Sequence, residues 1–200
     1  MPQIAFLHGN VAIGICTNCK VKGWRYNSCD KCSEQFSPSK LLYPISKKDY
    51  SSDPFLESEW KTLQHFIKQA YFITFFGYSA PVTDVEARKL MLEVWLENPT
   101  RELAEIDLID IKPKSEVKNN WKDFIDNRHF GIYKNFHDTY LSYHPRRTCD
   151  ALAMATLQLR PWKENPFPKN KSLKQIQDWV QPLIDEENKD EFSGKSCDLI

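Results

Sequence analysis

Two hydrophobic periods follow one another in the middle of this chain. Between the Asp53-Pro54 pair and Ala70, apolar residues recur at three- and four-residue spacing: Phe55, Leu56, Trp60, Leu63, Phe66 and Ile67. This spacing predicts an amphipathic helix whose first turn is set by an aspartate cap and a proline. Residues 71–76 then form a continuous run of mainly aromatic and β-branched side chains before Gly77. Such a run is typical of a strand that is covered on both faces, as in a parallel sheet.

The alternation of helix and strand continues along the chain. A capping box at residues 83–86 begins a predicted helix that ends near Glu97. Residues 104–111 are predicted as the next strand, a further helix begins at Ser115, and residues 130–133 are predicted as an extended segment. Helix and strand elements in this order predict an α/β fold with a parallel sheet.

The two ends of the chain add shorter elements. Residues 4–7 form a short apolar run, which predicts a buried strand that carries His8 at its end. Two helices are predicted over residues 136–143 and 147–159, and a last helix over residues 172–184 follows a proline-rich linker. These helices complete the predicted body.

Polar residues or glycine follow three of the predicted strands. They are His8, the Gly77-Tyr78-Ser79 turn and Asp110. Because ligands of parallel sheets bind outside the carboxyl ends of the strands, we expect these residues to form a ligand site. The alternative for Asp110, and for Asp107 within the same predicted strand, is a solvated carboxylate near a strand end.

Four cysteines stand in two CxxC pairs near the start of the chain, Cys16 with Cys19 and Cys29 with Cys32. Four thiolates at this spacing match the tetrahedral coordination of a structural Zn²⁺ site. The segment has few apolar residues, so metal binding is expected to keep it folded. A redox or disulfide pair is the alternative. It is disfavoured because no signal peptide precedes the cysteines, which predicts a reducing compartment.

Charge and hydropathy narrow the class of protein only slightly. The 200 residues carry 27 basic and 27 acidic side chains, so the net charge favours neither nucleic acid nor anionic membranes as a partner. The longest apolar run is too short to span a bilayer, and a cytoplasmic protein without a membrane partner is predicted. A nucleic-acid-binding ribbon is disfavoured but stays open because the cysteine segment has basic and aromatic residues: Lys20, Lys22, Trp24, Arg25, Tyr26 and Lys31.

Taken in order, these motifs resemble the sirtuin, or SIR2-like, family. An apolar segment ends in His8-Gly9 before the two cysteine pairs, a strand ends in Gly77-Tyr78-Ser79, and a later strand ends in Asp110 where the deacylases usually have Asn. The Gly77 turn looks more like that of bacterial SIR2-like proteins than that of the protein deacylases. The resemblance covers about residues 4–115.

The resemblance implies an NAD⁺-dependent enzyme that hydrolyses NAD⁺ or deacylates lysine. His8 would act as general base on a ribose hydroxyl of NAD⁺ after nicotinamide leaves, which suits an imidazole that titrates near neutral pH. Gly77, Tyr78 and Ser79 would contact a phosphate at the start of the next helix, and Asp110 would accept hydrogen bonds from a ribose diol. The zinc ion would be structural.

Part of the family's pattern is missing from these residues. In the family, a Gly-Ala-Gly-x-Ser loop, its strand and a Gln-Asn-x-Asp motif precede the His-Gly pair, and this sequence has none of them. The resemblance therefore implies the C-terminal half only. It predicts a partial Rossmann-like domain in residues 1–10 and 40–160, a zinc ribbon in 11–39, and a linker with a C-terminal helix and frayed tail in 161–200.

Two functional classes follow from this departure. We expect enzymatic activity only where another segment, for example a second chain, supplies the missing half of the domain. The alternative is a non-catalytic zinc-binding remnant or interaction module.

Overall fold

The structure is a computed structural model that describes residues 4–42, 50, 52–78, 84–99, 102–126, 128–161 and 165–193, with side chains to residue 189. Contacts divide the chain into two compact units, Met1–Ile132 and Tyr133–Ile200. Within the described ranges, no helix combines the length and apolar composition needed to cross a bilayer. The sequence-based division into three segments stays a prediction.

A small antiparallel ribbon begins the first unit. Its central strand, β1 (Ile13–Ile15), pairs with β2 (Lys22–Trp24) on one side and with β3 (Ser37–Pro38) on the other. A Cβ atom on Gly14 would lie 2.4 Å from the backbone oxygen of Ser37, so this position requires glycine, and one on Gly23 would press on the ring of Phe36. Besides this phenylalanine, the buried cluster inside the ribbon consists of two cysteines. The ribbon therefore has almost no apolar core of its own.

The first long helix, α1 (Pro54–Gln69), begins as the sequence predicts. The carboxylate of Asp53 accepts hydrogen bonds from the N–H groups of Phe55 and Leu56, both at 3.0 Å. A cap of this kind stabilises a helix by about 1 kcal/mol. Phe55 and Leu56 pack with the ribbon, whereas Trp60 joins the main core. The helix thus connects the ribbon to the sheet.

The main sheet has three strands in the order β4 (Phe72–Phe76), β5 (Glu105–Ile109), β6 (His129–Tyr133). Parallel pairing of β4 with β5 brings their carboxyl ends to the same edge of the sheet. Helix α2 (Val85–Leu96) follows β4, and helix α3 (Lys114–Ile125) follows β5. The predicted α/β class, with a parallel sheet and flanking helices, is confirmed.

One face of the sheet forms the main core. Ile106 and Leu108 of β5 pack with buried side chains of α1, α2 and α3, including Trp95 and Trp121. Because side chains alternate along a strand, Glu105, Asp107 and Ile109 point to the opposite face, where they are also buried.

The second unit is helical. A 3-10 turn at Phe136–Asp138 precedes α4 (Tyr140–Tyr143) and α5 (Thr148–Thr156), and α6 (Leu173–Ser193) follows. The guanidinium of Arg146 pairs with the carboxylate of Glu187 on α6.

The structure corrects the prediction of a strand at residues 4–7, which form no strand. Two backbone groups of this segment bond to side chains of α1 instead of to a neighbouring strand. The N–H group of Phe6 donates to the Glu59 carboxylate at 2.5 Å, and the C=O group of Leu7 accepts from the indole N–H of Trp60 at 3.1 Å. The chain then turns, with the N–H group of Gly9 bonded to the C=O group of Phe6 at 2.9 Å.

Two further predictions need correction. Residues 136–143 do not form one helix, because Thr139 has extended backbone and its hydroxyl caps the short α4. β4 is not covered on both faces: Thr74 and Phe76, which lie on the same face, are exposed, and Phe76 is 70% exposed.

Candidate functional site

The two CxxC pairs form turns of the same geometry. In the first turn, the N–H group of Lys20 donates to the C=O group of Cys16 at 2.9 Å. In the second turn, the N–H group of Ser33 donates to the C=O group of Cys29 at 2.8 Å. Lys20 and Ser33 each follow the leading cysteine by four positions, and both have positive φ, 56° and 61°. Each turn therefore reverses the chain within a few residues and places its two sulfur atoms close together.

The four sulfur atoms of Cys16, Cys19, Cys29 and Cys32 all lie within 4.8 Å of one another. The Sγ atoms of Cys16 and Cys32 are 3.4 Å apart. Tetrahedral Zn–S bonds of about 2.3 Å would separate the sulfurs by roughly 3.8 Å, so the cluster has the size of one metal centre. These four cysteines, the set predicted from the sequence, can bind one metal ion such as zinc.

Hydrogen bonds within the cluster shift the pKa values of its thiols in opposite directions. The N–H group of Cys19 donates to the Sγ of Cys16 at 3.3 Å and lowers the pKa of Cys16 to about 7. The hydrogen bond between the side chains of Cys32 and Cys19 and the burial of Cys19 raise the pKa of Cys19 to about 12. Thiolates this close repel one another, and a bound cation relieves that repulsion.

A buried carboxylate joins the ribbon to α1. Glu59 is fully buried on the helix; besides its bond from Phe6, it accepts one from the Nζ of Lys22 on β2 at 2.6 Å. Sequence reasoning missed this residue. The available signal was its position, since Glu59 stands next to Trp60 and three residues after Leu56, on the side of the helix that the periodicity predicts to be buried.

His8 lines a cavity of about 350 Å³ whose walls come mainly from apolar side chains of α1, α2 and β4, including Trp60, Ile73 and Met91. The C=O group of His8 accepts a hydrogen bond from the N–H group of Leu42 at 3.0 Å, which fixes the backbone at the cavity wall. An imidazole in this position can exchange a proton with a ligand that enters the cavity.

Asp84 and two tyrosines form a polar cluster beside His8. The hydroxyl of Tyr50 donates to the Asp84 carboxylate at 3.2 Å, and that of Tyr78 donates to it at 3.5 Å. Burial and the Asp84 charge raise the pKa of Tyr78 to about 12, and they raise the pKa of Tyr50 as well. The Tyr50 ring meets the imidazole edge-on at 6.5 Å. Tyr78, predicted to bind cofactor, thus lines the same cavity as His8.

Sequence reasoning missed the parts played by Tyr50 and Asp84. The available signal for Asp84 was its place in the capping box. In the structure Asp84 directly precedes α2, and its carboxylate bonds to the tyrosines and makes no cap hydrogen bond to the helix.

Gly77 and Asp110 lie at neighbouring strand ends, as the parallel sheet requires. The N–H group of Gly77 donates to the C=O group of Ile109 at 2.9 Å. Gly77 has a φ of 70°, and no described atom lies within 4 Å of the place where a Cβ would stand, so a ligand can approach this backbone closely. Asp110 is buried and accepts the N–H of Lys112 at 3.0 Å, which corrects the alternative of a solvated carboxylate. Ser79 lies outside the described residues.

Two further carboxyl groups are buried in β5. Among the described residues, neither Asp107 oxygen has a hydrogen-bond partner, and neither does Oε2 of Glu105. Burial raises the pKa of Asp107 to about 7; burial and the nearby Asp107 charge raise the pKa of Glu105 to about 8. The alternative that Asp107 is a solvated carboxylate is therefore also wrong.

No family model, curated protein or solved structure matches this chain.

Proposed function

We propose that this chain supplies the catalytic histidine and the zinc ribbon of a SIR2-like enzyme that consumes NAD⁺, by hydrolysing it or by using it to deacylate lysine. The observation that carries the proposal is the position of His8 in a cavity that also contains Tyr78, directly after Gly77 at the carboxyl end of β4. Ligands of parallel sheets bind at this end of the strands.

His8 is the proposed general base. His8 lines a cavity with mostly apolar walls, and the Tyr50 ring meets its imidazole edge-on. An imidazole at this position can accept a proton from a ribose hydroxyl. Bound NAD⁺ would supply the glycosidic bond that is broken.

The residues at the strand ends fit part of a dinucleotide. The open backbone of Gly77 suits the close approach of a phosphate or ribose, and the amides at the start of α2 would favour negative charge. Tyr78 and Asp110 already make hydrogen bonds within the protein, so we assign them to shaping the site. Ser79 keeps its proposed phosphate contact. The proposal requires a glycine-rich segment beyond these 200 residues for the rest of the pyrophosphate.

The test compares His8→Ala with His65→Ala in protein purified from its native host together with bound partners. His65 is a matched control because it lies on α1 outside the cavity. We expect nicotinamide release from NAD⁺ to fall by at least about 100-fold in His8→Ala, the usual effect of removing a general base, and to stay unchanged in His65→Ala. Equal rates in the two variants, or no turnover in any preparation, would favour the non-catalytic alternative.

The proposal also assigns a structural Zn²⁺ to the cysteine cluster. Four protein ligands would close the coordination sphere and leave no position for substrate. We expect about one zinc ion per chain in elemental analysis and its loss in Cys16→Ser, because three remaining thiolates bind zinc less tightly. Hydrogen exchange should then increase in residues 10–42 while β5 stays protected.

Cys149→Ser is the control for this substitution, since Cys149 is exposed and lies in the second unit. It should keep its zinc. Protein that contains no metal after purification under reducing conditions would contradict the assignment.

A further inference from the structure

The end of the ribbon exposes three large apolar side chains. Val11 is 68% exposed, Trp24 is 63% exposed and Tyr26 is 84% exposed. These residues and Arg25 are named the ribbon tip. Neighbouring apolar side chains left in water mark interaction surfaces.

The backbone holds the ribbon tip in one conformation. The N–H group of Asn27 donates to the C=O group of Trp24 at 2.9 Å, which closes a turn with Arg25 and Tyr26 at its centre. The N–H group of Arg25 donates to the C=O group of Ala12 at 2.9 Å and extends the ladder of β1 with β2 into this turn. The guanidinium of Arg25 lies over the Tyr26 ring, with its carbon 5.4 Å from the ring centroid.

Lys and Arg outnumber Asp and Glu in the ribbon, although they are equal in number over the whole chain. Residues 10–42 contain five Lys and Arg against two Asp and Glu, whereas the remaining residues contain 22 against 25. Lys22 is neutralised by Glu59, but Lys20, Arg25 and Lys31 are exposed. Exposed aromatic rings among such cations match the surfaces that bind single-stranded nucleic acids.

We propose that the ribbon tip binds single-stranded nucleic acid. Unpaired bases stack on Trp24 and Tyr26, and phosphates pair with Lys20, Arg25 and Lys31. A duplex hides the base faces that the two rings would contact. Four thiolates and one zinc ion carry a net negative charge of their own, so stacking supplies more of the affinity than charge does.

A groove of about 480 Å³ runs from the ribbon onto α1, where Lys61 is paired with Glu57. Lys20 lines this groove together with Lys61, His65 and Phe66. Lys20 lies two positions before β2, and β2 leads to the ribbon tip. This binding does not depend on the enzymatic activity proposed above.

The experiment measures fluorescence anisotropy of labelled oligo(dT) and oligo(U) of about 15 nucleotides with the full zinc-loaded chain. We expect dissociation constants on the order of 10⁻⁵ M at low salt, with a slope of log K against log salt of about −2 for three phosphate contacts. The double variant Trp24→Ala/Tyr26→Ala should bind at least tenfold more weakly at unchanged zinc content. Arg25→Ala should make the slope shallower by about 0.7.

Tyr71→Ala is the matched control, because Tyr71 is an exposed aromatic residue of the same unit far from the ribbon in sequence. It should bind as the unmodified chain does. The proposal is overturned if neither oligonucleotide binds, if the double variant binds equally well, or if a duplex of the same length binds as tightly as the single strands. Self-association that the double variant abolishes, without oligonucleotide binding, would identify the ribbon tip as a contact between copies and would also overturn it.

Discussion

Asp107 lies in the middle of β5, fully buried, and Glu105 lies on the same face of the strand two positions earlier. A carboxyl group in such a place stays protonated to higher pH than it would in water, because ionisation there costs desolvation energy. The folded-state pKa of Asp107, about 7, is raised above its ordinary value of 3.8. Its contribution to stability is therefore fully present below about pH 4 and is lost as the pH rises through about 7.

The Asp107→Asn variant tests this conclusion. Ionisation of Asp107 alone should lower the free energy of unfolding by roughly 3 kcal/mol between about pH 5 and pH 8, since one pH unit is worth about 1.4 kcal/mol. The variant should lack this part of the decline in urea unfolding measured at the two pH values. Asp126→Asn, at an exposed position after α3, should keep it. Equal pH dependence in Asp107→Asn and the unmodified chain would contradict the prediction.

At the scale of elements, the stability of the ribbon depends on its packing against α1. Its own buried cluster is small, so its attachment depends on the packing of Phe55 and Leu56 and on the Glu59 carboxylate. Without that carboxylate, the N–H group of Phe6 and the ammonium of Lys22 would lose their partner. Buried polar groups left unsatisfied cost more than exposed ones because water cannot replace the lost bond.

Glu59→Ala should lower the free energy of unfolding of the ribbon by about 2 kcal/mol. This is less than the full cost of breaking a buried pair because the Lys22 side chain keeps 29% exposure. Hydrogen exchange in zinc-loaded protein would show the loss as weaker protection of β1 and β2. Glu57→Ala, two residues away on the same helix, removes an exposed pair with Lys61 and should leave this protection unchanged. Equal effects of the two variants would contradict the role given to Glu59.

At the scale of the whole molecule, the outer edge of β4 has no partner strand among the described residues. The backbone N–H group of Glu105 donates to the C=O group of Tyr71, and the N–H group of Gly77 donates to the C=O group of Ile109. Every second residue from Tyr71 to Gly77 therefore bonds toward β5. Phe72, Thr74 and Phe76 therefore point their backbone groups outward. An apolar edge strand of this kind pairs readily with another chain, which is where the proposed missing half would add its strand.

Purified alone, the chain should self-associate through this edge. Phe76→Lys should suppress the association in sedimentation velocity, because a charge on an edge strand opposes pairing. Leu96→Lys, at the exposed last residue of α2, is the control and should not suppress the association. A chain that stays monomeric at high concentration, or equal association in both variants, would contradict the prediction.

Short sequence patterns correctly predicted the helices and strands in which they lie. The Asp53-Pro54 cap, the helical spacing after it and the apolar run at residues 71–76 each gave an element that the structure contains. Residues 4–7 misled the prediction, because a short apolar run looks the same whether its backbone bonds to a strand or to side chains such as Glu59 and Trp60. The role of Gly77 and His8 in NAD⁺ chemistry stays a prediction.

The sequence by itself identified the four cysteines that can bind a metal ion, since each CxxC turn needs only local geometry to bring its two sulfurs together. It also determined the α/β class through the alternation of hydrophobic periods. Only the tertiary structure decided what lies against what: His8 beside Tyr50 and Tyr78, Glu59 beneath the ribbon, and Asp107 buried in β5. These contacts join residues far apart in the chain, and hydrophobic periodicity carries no information about which buried positions meet.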